Sequence, residues 1–344
     1  MKILVATDAW HPQINGVVRT LGHVAREGRA LGVELQFLSP DQFWTFPMPS
    51  YPEIRLAAVG RRGVERRLES VCPDAIHIAT EGPIGHAMRR ACLRRNLPFT
   101  TSLHTRFPDY VAERLPLPKG WTTELTWNWL RRFHSPAAAT MAATPTLAAE
   151  LVARGFRNVQ IWPRGVDAQL FRPRSGVDLK LPRPIFLTVG RLAVEKNLEA
   201  FLALDLPGTK MVVGDGPSRS SLERRFPDAV FVGSRHGEAL ANIYAAADVF
   251  VFPSRTDTFG LVLLEALASG LPVAAFPAAA PRDVIGEAPV GRLDEDLRRA
   301  CLGALECRRE DCRAFALRMT WTVSARIFLS HVMDAARQGN YRAA

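Results

Sequence analysis

The chain has 344 residues, of which 47% are hydrophobic and 23% charged, a composition typical of folded domains. This composition excludes a disordered chain, a collagen-like chain and a coiled coil, and at roughly 100–200 residues per domain the length predicts two domains. The formal net charge is +10, and most of the excess lies in residues 1–163, which hold 20 Lys and Arg against 13 Asp and Glu. Such an excess suits nucleic acid, an anionic membrane or an anionic substrate, and an arginine-rich surface without a partner explains it equally well.

Short apolar runs alternate with helical patterns through the first half of the chain. Strands are predicted at Lys2–Ala6, Val33–Leu38, Ala75–Ala79, Pro98–Ser102 and Ala138–Ala142. Helices are predicted between or after them, at Val17–Leu31, Gly85–Arg95, Thr122–Phe133 and Leu147–Arg154. This alternation indicates a parallel sheet with helices on both faces.

The second half repeats the plan with continuous apolar runs, which are typical of strands buried on both faces. These strands are predicted at Pro184–Val189, Lys210–Val213, Ala229–Val232, Asp248–Pro253 and Pro272–Phe276. Helices are predicted at Asn197–Leu204, Ser218–Arg225, Gly237–Ala246 and Leu261–Ser269, and a last one at Ala314–Ala336. The predicted fold class is α/β, with two Rossmann-like, doubly wound domains that face a cleft.

The Pro- and Gly-rich stretch 162–184 predicts the boundary between these domains. We expect an N-terminal domain over residues 1–163 and a C-terminal domain over residues 164–320. We expect residues 321–344 to form a C-terminal helix that crosses back to the N-terminal domain.

Signals for export and for a membrane span are both weak. The apolar run near the N-terminus is too short for a secretory segment, and the five cysteines form no C-x-x-C pair. Residues 259–280 contain one charge, but Pro272 and Pro277 interrupt them, so a buried helix and strand are predicted there. The protein is therefore expected in the reducing cytoplasm.

Two cations stand at the end of the first strand of the second half. Arg191 follows that strand directly, and Lys196 lies near the start of the next helix. A guanidinium and an ammonium at the carboxyl edge of a sheet, beside a helix N-terminus, suit a diphosphate. The alternative is two solvated surface cations.

A second group of residues runs from Asp257 to Glu265. Asp257 falls in a loop after a buried strand, and Gly260 permits close approach of the backbone to a ligand. Glu265 lies in an otherwise apolar helix, where an unpaired carboxylate is costly. Ligand hydroxyls would satisfy it, and so would an arginine or a backbone N–H.

The remaining candidates carry weaker signals. Gly214 and Gly216 follow a strand and suit a phosphate or a base, although an ordinary tight turn explains them as well. Gly16 opens a predicted helix, whose first N–H groups suit an anion. His104 follows a strand end, where α/β enzymes place their sites, although a lone histidine is more often structural.

Taken together, the motifs resemble those of the family-4 retaining glycosyltransferases of the GT-B fold. The resemblance rests on their order along the chain: Asn15-Gly16-Val17, Leu103–Pro108, Trp162–Asp167, Gly190–Asn197, Val212–Pro217 and Pro253–Ala275. It covers nearly the whole chain, and the segment around His104 is most similar to the α-mannosyltransferase and glycolipid-forming branch.

The resemblance implies a retaining transfer of a hexosyl group from a UDP- or GDP-linked sugar, with no metal and no other cofactor. It also implies that the N-terminal domain, residues 1–163, binds the acceptor and that the C-terminal domain, residues 164–320, binds the nucleotide sugar. Arg191 and Lys196 would neutralise the diphosphate, and Glu265 would bind the ribose. Asp257 would bind the sugar hydroxyls.

Further implied ligands come from the backbone and from the first domain. Phe259, Gly260 and Leu261 would assist Asp257 through their backbone. Gly16, Gly214 and Gly216 are also assigned to the donor, and His104 would contact the sugar near the reacting carbon.

Two departures separate this chain from the family pattern. The first of the paired carboxylates is usually glutamate, and here it is Asp257. The segment after Phe276 reads Pro-Ala-Ala-Ala-Pro-Arg-Asp, where relatives often carry a glycine pair.

Aromatic and basic residues in the first half suggest the acceptor. Four large apolar side chains occur in the predicted loop 42–48, and Arg pairs follow at 61–62, 66–67, 89–90, 94–95 and 131–132, with Trp121, Trp127 and Trp129 on a helix. Aromatics beside arginines suit an enzyme that takes a lipid or glycolipid acceptor from the anionic inner face of a membrane. The alternative places the aromatics in the core and the arginines in solvent.

Other function classes remain open at this point. They are a sugar-nucleotide epimerase of the same fold, a transferase acting on a soluble or polysaccharide acceptor, and a non-catalytic sugar-binding protein. A nucleic-acid-binding protein is not expected, because no binding motif accompanies the charge.

Overall fold

A computed structural model of the chain describes residues 1–11, 16–48, 51–104 and 119–338. The chain divides into two compact units. One consists of Met1–Pro163 together with the residues from Ser324 onward, and the other is Arg164–Val323.

The first unit is built on a six-stranded parallel sheet and a separate hairpin. Its strands in chain order are β1 (Lys2–Ala6), β2 (Glu34–Leu38), β3 (Thr45–Met48), β4 (Tyr51–Ala57), β5 (Ala75–Ile78), β6 (Thr100–Leu103), β7 (Ala139–Ala142) and β8 (Val159–Ile161). Its helices are α1 (Gly16–Ala30), α2 (Arg61–Val71), α3 (Pro83–Arg95), α4 (Lys119–His134) and α5 (Pro145–Ala153). The sheet order is β2-β1-β5-β6-β7-β8, while β3 and β4 pair antiparallel.

The second unit is a six-stranded parallel sheet with helices between its strands. Its strands are β9 (Ile185–Val189), β10 (Thr209–Val213), β11 (Val230–Phe231), β12 (Val249–Phe252), β13 (Val273–Ala275) and β14 (Gly291–Leu293). Its helices are α6 (Leu198–Leu202), α7 (Arg219–Arg225), α8 (Gly237–Ala246), α9 (Leu261–Ala268), α10 (Ala279–Val284), α11 (Leu297–Ala304) and α12 (Arg309–Ala316). The last helix is α13 (Trp321–Gln338), most of which belongs to the first unit. The sheet order is β11-β10-β9-β12-β13-β14.

Burial on both faces explains the unbroken apolar strands. In β1, Ile3 and Val5 join a core with Leu21 of α1, while Leu4 and Ala6 join a core with α2 and α3. Because successive strand residues point to opposite faces, a strand between two helical layers must be apolar at every position.

The last helix supplies part of the first unit's core. Phe328 of α13 is fully buried in the same cluster as Ile3 and Trp162. The Trp162 indole N–H donates to Ser324 Oγ at 3.1 Å, and Ser324 Oγ donates to the carbonyl of Pro163 at 2.7 Å. The chain therefore returns to its first unit through both apolar and polar contacts.

Several predicted elements differ from the structure. The predicted loop 42–48 includes β3, and β8 and β14 have only three residues each, too few to show a periodic pattern. The single helix predicted over 314–336 is two helices. The backbone between them pairs with Val166, whose N–H donates to Met319 O at 2.9 Å, and this pairing interrupts the helix.

None of the helices in the described ranges is long and apolar enough to span a bilayer.

Candidate active site

The strand order of the second sheet reverses at β9, and this reversal is the topological switch point of the sheet. From β9 the chain moves outward through β10 and β11, and it then returns to β12 on the other side of β9. The loops that follow β9 and β12 therefore diverge from neighbouring strand ends, which is where doubly wound sheets bind ligands. The predicted residues Arg191, Lys196 and Asp257 lie on these two loops.

The two cations on the loop after β9 differ in their exposure and in their contacts. The side chain of Arg191 is exposed and makes no hydrogen bond or ion pair with any residue in the described ranges. Lys196 ends a short 3₁₀ turn, Val194–Lys196, and its side chain is 28% exposed. Arg191 is thus available to a ligand, whereas Lys196 already has a partner.

That partner is Asp257, on the loop after β12. The Lys196 Nζ lies 2.5 Å from Asp257 Oδ1. The second oxygen, Oδ2, is buried and has no hydrogen-bond partner among the described residues. A buried carboxylate oxygen without a donor is costly. The two residues expected to bind phosphate and sugar separately therefore form one charged pair with spare acceptor capacity.

Hydrogen bonds fasten the two loops to each other. The Asn197 amide Nδ2 donates to Pro253 O at 3.2 Å, and Asn197 itself has φ 52°, a conformation that asparagine tolerates. The hydroxyls of Ser254 and Thr256 donate to Glu195 O at 3.4 and 3.3 Å. These bonds hold the loop that carries Arg191 and Lys196 against the loop that carries Asp257.

Helix α9 begins beside the Asp257 loop. Gly260 precedes it with φ 76°, and a Cβ there would lie 3.0 Å from the ring of Phe252. Glycine is required at this turn because L side chains rarely adopt that conformation. The first backbone N–H groups of α9, from Leu261 onward, form an end that favours negative charge, and the side chain of the preceding Phe259 is buried.

Glu265 is buried in α9, as expected, with 3% of its surface exposed. Its Oε2 accepts a hydrogen bond at 3.1 Å from the hydroxyl of Tyr244 on α8. The sequence alternatives were a ligand hydroxyl, an arginine or a backbone N–H, and this tyrosine was missed. Tyr244 escaped notice because an aromatic residue in an apolar helix pattern is usually core.

Backbone packing accounts for the glycines after β10. A Cβ on Gly214 would lie 1.8 Å from Gly190 O, and one on Gly216 would lie 2.4 Å from Leu192 O. The Leu192 N–H donates to Asp215 O at 2.9 Å across the same contact. The loops after β9 and β10 are therefore pressed together, and contact of Gly214 and Gly216 with a donor remains a prediction.

The remaining predicted residues lie in the first unit. Gly16 is the first residue of α1, and no described atom lies within 4 Å of the position of its Cβ. His104 follows β6; its Nε2 is 2.8 Å from Ser102 Oγ, and its ring meets Trp162 edge-on at 5.7 Å. The other motif residues here, Asn15 and residues 105–108, lie outside the described residues.

Sequence reasoning missed a carboxylate directly after β1. Asp8 Oδ1 accepts from Ile84 N–H at 2.8 Å, and Oδ2 accepts from Gly85 N–H at 3.2 Å and from Thr80 Oγ1 at 2.9 Å. Burial raises the pKa of Asp8 above its ordinary 3.8, although these hydrogen bonds oppose the shift. Its position at a strand end was a signal for it, the same signal that marked Arg191.

Comparisons with known proteins define the class and then the family. Residues 14–170 match the model described as Glycosyltransferase Family 4, and residues 183–306 match that of glycosyl transferases group 1. The protein is a hexosyltransferase, and its chain belongs to glycosyltransferase family 4. The expected enzyme class and family are confirmed, and neither match favours an epimerase.

Individual proteins agree with this assignment. A GDP-mannose-dependent α-mannosyltransferase of Mycobacterium tuberculosis is 32% identical over 83% of this chain and 81% of its own. An α-monoglucosyldiacylglycerol synthase of Acholeplasma laidlawii is 24% identical over 79% of each chain. Sucrose-phosphate synthase from Thermosynechococcus elongatus has the same fold, with a TM-score of 0.75 at 18% identity over 96% of this chain and 97% of that one. The expected GT-B class is confirmed.

Proposed function

We propose that this enzyme transfers a mannosyl group from GDP-mannose, with retention of configuration, to a lipid or glycolipid acceptor at a membrane surface. The observation that carries the proposal is the Lys196–Asp257 pair at the switch point, beside an unengaged Arg191 and the N-terminus of α9. The choice of GDP-mannose follows the mannosyltransferase relative.

The charged groups suit the departure of a nucleoside diphosphate. Negative charge develops on the diphosphate as the bond to the sugar breaks, and cations already in place stabilise it there. Arg191 supplies a guanidinium that matches two phosphate oxygens at once. Lys196 has three N–H donors, so it can contact a phosphate oxygen while remaining bonded to Asp257.

Asp257 and Glu265 divide the hydroxyls of the donor between them. The unsatisfied Oδ2 of Asp257 would accept a hydrogen bond from a sugar hydroxyl. Glu265, oriented by Tyr244, would accept from the ribose. In the first unit, Gly16 and His104 keep the phosphate and sugar contacts that the family resemblance assigns to them.

The expected absence of a metal remains a prediction. Two fixed cations supply the positive charge for the leaving group, so the proposal requires no divalent ion. Activity is therefore expected to persist in EDTA after the protein has been purified in its presence.

One surface of the first unit suits a membrane. Trp44, just before the β3–β4 hairpin, is 77% exposed, and the preceding Phe43 contacts α2 at Gly63, where a Cβ would lie 3.0 Å from its ring. Helix α2 carries exposed arginines, namely Arg61, Arg62 and Arg66. An indole beside several guanidinium groups suits an anionic interface. Trp127, also considered for this role, is in the core, with 3% exposure.

The donor is tested by presenting GDP-mannose and UDP-glucose to the protein with diacylglycerol in anionic vesicles, and separately with a soluble alkyl mannoside. We expect an α-mannosyl lipid from GDP-mannose, and loss of product in Lys196→Ala. Transfer from UDP-glucose alone would overturn the mannosyl proposal, and an inverted anomer would overturn retention. Epimerised donor without transfer would overturn the acceptor proposal.

Membrane binding is tested by sedimentation with anionic and with zwitterionic vesicles. We expect binding to the anionic vesicles only, release by high salt, and weaker binding in Trp44→Ser. Leu317→Ser, which removes an exposed apolar side chain from the second unit, is the control and should bind like the parent protein. Binding that ignores salt, or equal loss in both variants, would contradict this surface.

A further inference from the structure

A fully buried histidine in the first unit has no part in the mechanism above. His77 lies in β5 with no exposed surface, and the rings of Phe328 and Trp162 meet it edge-on at 4.9 and 6.0 Å. Its Nδ1 is 2.9 Å from Thr100 Oγ1, and its Nε2 is 3.1 Å from Ser102 Oγ. Both ring nitrogens therefore have hydroxyl partners on the neighbouring strand β6.

These contacts continue to His104. Ser102 Oγ is 2.8 Å from His104 Nε2, so one hydroxyl lies between the two imidazoles. Thr100 and Ser102 share a face of β6 because side chains alternate along a strand. The intervening Thr101 points to the other face, where its Oγ1 is 2.8 Å from Nδ1 of another buried histidine, His134.

Donor counting gives the chain of hydrogen bonds a direction. The Thr100 hydroxyl lies 3.4 Å from Ile76 O, which can only accept, so its proton points there and Thr100 accepts from His77 Nδ1–H. The neutral His77 then has its lone pair on Nε2 and accepts from the hydroxyl of Ser102. Ser102 in turn accepts from His104 Nε2–H. Each hydroxyl donates once and accepts once.

We propose that His77 is a positioning residue which, through Ser102, holds His104 in the tautomer that is protonated at Nε2. The proposal rests on the proposed function, in which His104 contacts the donor sugar. The tautomer of a histidine is set by the hydrogen bond that its other nitrogen makes. The edge contact with Trp162, itself held by Ser324, restricts rotation of the His104 ring.

The arrangement is tested first without any substrate, by ¹⁵N NMR of protein labelled at histidine. Signals are assigned by their loss in His77→Gln and His104→Gln, or by ring-to-backbone correlations. We expect that, when both imidazole rings are neutral, His77 is protonated at Nδ1 and His104 is protonated at Nε2. His77 protonated at Nε2, or ring signals of His104 averaged between tautomers, would overturn the proposal.

Activity supplies the second test, with a matched control on the same strand. Ser102→Ala removes the linking hydroxyl, and we expect kcat to fall about tenfold, with KM for the donor little changed. Ser102→Thr, which restores the hydroxyl, should recover most of the loss. Thr101→Val removes the hydroxyl that serves His134 on the opposite face and should leave kcat close to that of the parent protein.

The outcomes separate the two proposals. Equal losses in Ser102→Ala and Thr101→Val would show that buried hydroxyls act only through stability, and would overturn the positioning role. If the parent protein transfers no mannosyl group, the proposed function fails, while the NMR result still decides whether His77 orients His104.

Discussion

The carboxyl edges of the two sheets carry polar groups of different kinds. In the second unit the edge presents Arg191 and Lys196 on one loop, which hydrogen bonds to backbone carbonyls fasten to the loop after β12. In the first unit the edge carries His104 and, behind it, buried hydroxyls and imidazoles bonded to one another. The comparison separates two tasks that a transferase must perform. One edge is built to recognise charge, and the other to fix the orientation of a hydrogen-bonding group.

The largest expected effect follows from removing charge at the second edge. Arg191→Ala should lower kcat by about 10²–10³-fold, because its guanidinium acts on charge that develops during the reaction. Its side chain has no partner among the described residues, so the melting temperature should not change. The control is Arg224→Ala, which should keep full activity. Arg224 is another exposed arginine of the same unit, and its side chain also has no hydrogen-bond or ion-pair partner among the described residues. A loss shared by both variants would contradict charge recognition at this edge.

Two glycine substitutions, one in each unit, separate effects on stability from effects on transfer. Gly214→Ala should cost about 3 kcal/mol, because its Cβ would lie 1.8 Å from Gly190 O and its φ of 143° is strained for alanine. Gly16→Ala should leave the free energy of unfolding within about 0.5 kcal/mol, since no described atom lies near its Cβ. It should nevertheless lower transfer if Gly16 approaches the donor. Urea denaturation measures the stability of both variants, and initial rates measure their transfer activity. A Gly214→Ala variant that is inactive but fully stable would show that Gly214 serves the donor site and not backbone packing.

The polar residues of the second edge could be predicted because each lies in a loop that follows a buried strand, or near the start of a helix. Arg191 and Asp257 were found in this way, and the structure places both at the switch point. Their neighbours could not be predicted. Lys196 and Asp257 are 61 residues apart, and they meet only because β12 lies beside β9. Strand order depends on long-range packing, which an apolar run does not encode.

The first edge was harder to predict for a related reason. His77 sits within an apolar strand and Ser102 within a polar one, and neither carries a local motif. Their link to His104 appears only when β5 and β6 are paired in register, with His77 opposite Thr100. Local chemistry therefore identifies groups at strand ends, whereas networks across strands require the fold.

The smallest expected effect contrasts a carboxylate from each edge. Asp8 follows β1, and burial raises its pKa, whereas Asp294 follows β14, and its hydrogen bond from Arg299 lowers the pKa. For Asp8 the folded protein binds the proton more tightly than the unfolded chain does. The free energy of unfolding, relative to Asp8→Asn, should therefore fall as pH rises above 3.8 through the raised pKa, by at most about 1.4 kcal/mol per pH unit.

Asp294 supplies the opposite sign within the same molecule. Stability relative to Asp294→Asn should be fully present above pH 3.8 and should be lost as pH falls through the lowered pKa of the folded state. Urea titrations from about pH 3 to about pH 7 follow both differences under identical conditions. If the free energy of unfolding relative to Asp8→Asn rose with pH, as it is expected to do relative to Asp294→Asn, Asp8 would be stabilised in its charged form. The first edge would then hold a carboxylate for charge recognition as the second edge does, and the distinction between the two edges would fail.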